Sequence, residues 1–210
     1  MDKILDIIMQ IAVLVFAVIV HEVSHGYVAY RLGDPTAKNA GRLTLNPLPH
    51  IDPFMSVLLP AFLIFSGSPF VIGGAKPVPI NPMYFKNHKK DVMLVSLAGP
   101  GSNIVLAILG IGLFVLAARV PFLRNPGVFR LLQYFILINT VLAVFNLIPV
   151  PPLDGSNILM SLLPDEAAYN YAKLAPYGFL VIIVMLVFNV FEIILMPILM
   201  GIQKLLNYLI

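Results

Sequence analysis

Cysteine is absent from all 210 residues of the chain. No disulfide framework, thiolate nucleophile or cysteine-based metal site is therefore available to it. Charge is nearly as scarce. Asp, Glu, Lys and Arg make up 11% of the sequence, against about a quarter in a soluble domain, which excludes an ordinary water-soluble globule. The 13 basic residues gather into no arm or face. That excludes a nucleic-acid partner and leaves lipid headgroups and topology control as their role. No long polar stretch is present in which a separate soluble unit would fold, so residues 1–210 are expected to form one membrane-embedded domain. Nor does a small-residue cleavage pattern follow the first apolar run, which continues straight into His21. A cleavable leader is not expected.

What the sequence has instead is apolar length. Hydrophobic residues make up 60% of the chain and the mean hydropathy is +0.95. Apolar runs longer than about 18 residues recur, the mark of a polytopic membrane protein. Spans are predicted near 4–30, 92–118, 128–148 and 177–196, the first opened by Asp2 and Asp6 and closed by Gly33-Asp34-Pro35. A further apolar stretch, 53–70, is interrupted by Pro60, Gly67 and Pro69, and the proline-rich residues 71–82 are expected to be extended.

Charge decides how 53–70 is placed. If it crosses the bilayer, six of the twelve Lys/Arg ahead of the last span fall on each side. If it enters and leaves on one side, that side carries eight (Arg31, Lys38, Arg42, Lys76, Lys86, Lys89, Lys90, Lys173) against four (Lys3, Arg119, Arg124, Arg130). The positive-inside rule favours the re-entrant arrangement, with the richer side cytoplasmic. Irregular backbone at that depth needs surrounding protein or a wet cavity. The expected fold is an all-α polytopic membrane protein. It has a three-helix catalytic core (4–30, 92–118, 128–148), a re-entrant segment, a short extended edge and a C-terminal transmembrane helix.

His21-Glu22-Val23-Ser24-His25 carries the chemistry. Positions four apart share a helical face about 6 Å apart. Two imidazoles so placed can bind one Zn²⁺, and the adjacent carboxylate can reach a water that the metal activates. Chance would produce the pattern in this composition about once in a thousand chains. Ionisable groups inside a span are costly unless paired or metal-bound, so function is the default reading. Hydrolytic zinc usually takes a third protein ligand, for which the sequence offers Asp154, His50, Asp52, His88 and Glu166. Asp154 sits in Pro151-Pro-Leu-Asp-Gly155, where prolines stop the 128–148 span and a glycine permits a turn. The re-entrant topology puts it on the same side as His25.

Four stretches in order, HEVSHGYVAYRLGDPTAKNAGRLTLNPLPHIDP, GGAKPVPINP, SLAGPGSN and FNLIPVPPLDGSNIL, resemble the site-2 protease family of intramembrane zinc proteases. The likeness is to its compact bacterial branch without a PDZ domain. It implies one Zn²⁺ held by His21, His25 and Asp154, with Glu22 as general base. It also implies cleavage of peptide bonds in or near transmembrane segments. The substrate would be a membrane protein or a remnant signal peptide, and the chain would lie in a bacterial cytoplasmic membrane with its site towards the cytoplasm. Asn146 resembles the family's asparagine ahead of the aspartate, and its amide can donate to a substrate carbonyl.

The extended stretch 71–80, with Gly73, Gly74 and Ala75, is read as an edge to which an unwound substrate adds as a strand. His50 and Asp52 are candidates to orient the metal ligands from behind, or form an ordinary polar turn. Gly99, Gly101 and Ser102 are read as permitting close helix packing, and Glu192 as interfacial beside Pro197. Two other classes compete. A metal transporter would use the same His/Asp cluster but needs no Glu22 and should show repeated half-broken helices. A catalytically silent membrane chaperone needs neither Glu22 nor Asp154.

Overall fold

The computed structural model describes residues 2–53, 58, 62 and 75–209. Gly73, Gly74 and nearly all of the expected re-entrant segment lie outside the described residues. The described chain is helical, with no strand among its residues. The long helices are α1 (Asp2–Arg31), α3 (His88–Arg119) and α4 (Pro126–Leu147), with a short α2 (Thr36–Asn39) after the first. Then come α5 (Asp154–Leu162), α6 (Asp165–Ala172), α7 (Gly178–Val187) and α8 (Val190–Leu209). Among the described residues, five stretches are long and apolar enough to cross a bilayer: Lys3–Arg31, His88–Arg119, Pro126–Leu147, Asp165–Val187 and Val190–Leu209.

Burial follows helical periodicity. On α1 the covered face is Val13, Ala17, His21, His25 and Ala29, each one turn from the next, while Ile4, Ile7, Ile8 and Ile11 face outward. With no water in a bilayer core, outward apolar side chains meet lipid, and helices associate through close packing of small residues. The covered face of α3 accordingly carries Gly99, Ala107, Gly110 and Ala117. Helices α1, α3 and α4 pack together as the expected core. An Asp6–Arg130 ion pair of 3.5 Å joins the starts of α1 and α4. At the other end, Ala29, Phe85 and Val95 join the end of α1 to the start of α3. Thus α1 and α4 run parallel, with α3 antiparallel between them.

The C-terminal region differs from expectation. In place of one span over 177–196, α7 ends at Val187 and α8 begins at Val190, with Asn189 between them at φ 55°. Asparagine is among the few L-residues that adopt this left-handed conformation readily. Glu192, expected at an interface beside a Pro197 break, lies in the first turn of α8, where the helix dipole favours a negative side chain. Helix α8 continues through Pro197.

Candidate metal centre

His21 lies ten residues before the end of α1, about 15 Å along the helix. Its Nε2 is 3.0 Å from His25 Nε2, and each Nε2 is 3.2 Å from Asp154 Oδ2. The other ring nitrogens show what these three atoms carry. His25 Nδ1 is 2.7 Å from the Val95 carbonyl, which can only accept, so Nδ1 holds the proton. His21 Nδ1 is 2.7 Å from Asn103 Oδ1, again an acceptor. In its neutral form each imidazole therefore turns an unprotonated Nε2 towards the carboxylate. Asp154 Oδ2 is buried without a well-directed hydrogen bond from the described residues. Three lone-pair atoms converging at this separation repel one another unless a positive charge, a proton or a metal ion, sits among them.

The spacing suits zinc. Tetrahedral bonds of about 2.0–2.2 Å place neighbouring ligand atoms about 3.3 Å apart, close to the observed 3.0–3.2 Å. Two imidazoles and one carboxylate leave a fourth position open, the composition of a hydrolytic rather than a structural site. Among the described residues this is the only group of three or more His, Asp or Glu side chains so gathered.

Local sequence explains the convergence. Val95, Gly99 and Asn103 lie four residues apart and form one stripe on α3 against the histidine face of α1. A Cβ at Gly99 would overlap His25 Nε2 and the His21 ring, so only glycine lets α3 approach here. Pro100 supplies no N–H to the Ser96 carbonyl, loosening the helix beside the site. Asp154 opens α5, with Leu153 as N-cap. Gly155 is helical, and a Cβ there would overlap the Leu147 and Ile148 carbonyls. Its role is to let α5 abut the end of α4, and the turn expected at this glycine is not what it provides.

The remaining sequence candidates are dispersed. Glu22 Oε2 accepts from the Val78 N–H at 2.8 Å. Asn146 donates to its own helix at Leu142 O, 3.0 Å away. Ala75 lies in the non-helical residues 75–81, whose N–H groups are engaged at Lys76 by His50 O and at Asn81 by Asp34. His50 is buried, with Nδ1 facing Arg42 and Nε2 on the Thr44 carbonyl. It therefore fixes the 42–50 loop, and Asp52 lies just beyond it. The partners that orient His21 and His25 are Asn103 and Val95 instead. Sequence reasoning passed over Asn103 and Asn139, both with 0% exposure. The available signal was an amide within an apolar span, which demands a partner.

Fold and site together define an integral membrane protein with a hydrolase-type metal centre. The description of Peptidase family M50 matches residues 122–188, which include Asp154. YwhC of Bacillus subtilis, provisionally named a zinc metalloprotease, is 40% identical over 190 residues, covering 89% of this chain and 83% of its own. Rip2 of Mycolicibacterium smegmatis, also provisionally so named, is 34% identical over 86% of this chain and 67% of its own. MJ0392 of Methanocaldococcus jannaschii, named a zinc metalloprotease, is 30% identical over 75% of this chain and 34% of its own. No solved structure matches the chain. The chain belongs to peptidase family M50.

Proposed function

We propose that this chain is an intramembrane zinc metalloprotease that hydrolyses peptide bonds in or near transmembrane segments of other membrane proteins or remnant signal peptides. The observation that supports it best is the meeting of three bare ligand atoms, from His21, His25 and Asp154, within the length of the membrane helices, one residue from Glu22. Zinc, when bound, supplies Lewis-acid polarisation of the scissile carbonyl and of an attacking water at neutral pH.

The chain's own residues do the rest. His21 and His25 present fixed lone pairs, and Asp154 adds the negative charge that holds the ion. Glu22 takes the proton of the attacking water and returns it to the leaving amine, a contribution of about 10²–10⁴ in rate. The Val78 N–H on Oε2 holds that carboxylate in place, leaving the second oxygen for the proton. Asn146 is assigned to the substrate carbonyl, for which its amide must leave Leu142 O. A substrate helix must unwind first, because its carbonyls are already hydrogen-bonded. Contacts to the unwound peptide are assigned to Gly73, Gly74 and Ala75, with 76–81 as their anchored base.

The site lies nearer the end of α1 than its start. The eight-to-four distribution of basic residues ahead of the last span supports a cytoplasmic position for that end, and the family resemblance supports a bacterial inner membrane.

The test pairs metal content with cleavage of a tagged panel of transmembrane substrates, for wild type and Glu22→Gln in detergent. One zinc in each protein and cleavage in wild type alone is the expected result. Equal cleavage by both would remove Glu22 as the base.

A further inference from the structure

We infer that Asn139 and Asn103 form a buried positioning relay that sets the tautomer of His21 and, through it, the affinity of the site for its metal. This rests on the metal-site reading above and adds residues outside the ligand set.

Each link follows from what its neighbour can donate or accept. The Phe135 carbonyl can only accept, and Asn139 Nδ2 donates to it at 2.8 Å. The Asn139 amide is thereby oriented with Oδ1 towards Asn103. Asn103 Nδ2 donates to that oxygen at 2.9 Å, and also to the Ala17 carbonyl at 3.3 Å. Two acceptors thus fix Asn103 in the same sense, with Oδ1 facing His21 Nδ1 at 2.7 Å. An oxygen there requires a proton on Nδ1, so in the neutral ring Nε2 is bare. Turning Asn103 over would set its oxygen against two other oxygens and its amine against the ring.

The relay joins all three core helices: Ala17 and His21 on α1, Asn103 on α3, and Phe135 and Asn139 on α4. His25 needs no such device, because the Val95 carbonyl orients it directly. Both asparagines are fully buried. Amides at this depth serve here to connect helix packing to ligand chemistry, where general helix adhesion would need no particular orientation.

The experiment uses the full chain in detergent. Zinc affinity is measured by chelator competition, and the His21 tautomer by ¹⁵N shifts of the metal-free, ¹⁵N-histidine-labelled protein. Wild type should show His21 protonated at Nδ1. Asn103→Leu should weaken zinc by about 10–100-fold, the usual effect of removing such a partner, and release the tautomer preference. Asn103→Asp keeps an acceptor for Nδ1 but turns its second oxygen towards Asn139 Oδ1 and the Ala17 carbonyl. It should keep the Nδ1 tautomer and recover only part of the lost affinity, a split that a purely structural role would not predict. Asn139→Leu should give a smaller loss, because Ala17 still holds Asn103.

A wild-type His21 protonated at Nε2 alone overturns the relay without any variant having to fold. So does wild-type zinc affinity in folded Asn103→Leu, or an Asn103→Asp protein whose His21 has no Nδ1 preference. Neither readout involves proteolysis. A chain with the predicted tautomer and zinc dependence but no cleavage would refute the protease reading and leave the relay standing. Glu22-dependent cleavage with unchanged zinc affinity in Asn103→Leu would do the reverse.

Discussion

Among the described residues, two buried polar networks contain histidine. Around Arg42 and His50, side chains end mainly on backbone groups. Arg42 donates to the Lys76 carbonyl at 2.6 Å and faces His50, while His50 donates to Thr44 O at 2.9 Å. Asp34 completes this layer by accepting from Thr36 and from the Asn81 N–H. Both ring nitrogens of His50 therefore have a partner. His21 and His25 are buried to a similar degree, yet each has one nitrogen satisfied and one facing other lone pairs. Burial alone does not separate a structural histidine from a ligand. The identity of the atom facing the second nitrogen does.

Variants can break this contrast in order of expected effect. The largest change should come from Glu22→Gln, with cleavage down by about 10²–10⁴ and bound zinc unaltered by metal analysis. Gly99→Ala should come next. Its methyl must displace both imidazoles, and zinc affinity by chelator competition should fall by about 10–100-fold or more while the helical circular dichroism persists.

In the other network, His50→Ala should cost stability and spare the metal. Leaving Arg42 and the Thr44 carbonyl without their partner is worth about 1–3 kcal/mol, read as a lower melting temperature with one zinc still bound per folded chain. Zinc loss in folded His50→Ala would erase the distinction between the networks. Gly112→Ala should do least. A methyl there meets open space, and the expected change in stability is within about 0.5 kcal/mol.

Much of the site was legible because it is written in short-range pattern. His21 and His25 sit one helical turn apart, so any α1 long enough to cross the bilayer brings them together. Asp154 was legible for a different reason: prolines end the preceding span, and topology returns the chain to the same side as His25. Gly99 was read correctly as a packing residue, without its contact to both imidazoles. The divided C-terminal region was not legible, because 177–196 is apolar apart from Asn189 and Glu192 and the break depends on one backbone angle at Asn189. His50 was ambiguous, since a sequence cannot say which atoms a buried ring will face.

The sequence by itself determined the class of environment, the three core spans and the ligand types. Hydropathy and helical periodicity are local properties and survive without knowledge of the fold. Only the tertiary structure decided which nitrogen of each histidine is bare. That depends on Val95 and Asn103, 70 and 82 residues away along the chain, and on Asn139 from a third helix. Hydrogen-bond donors and acceptors are assigned across a packed interface, and no spacing within one helix encodes them.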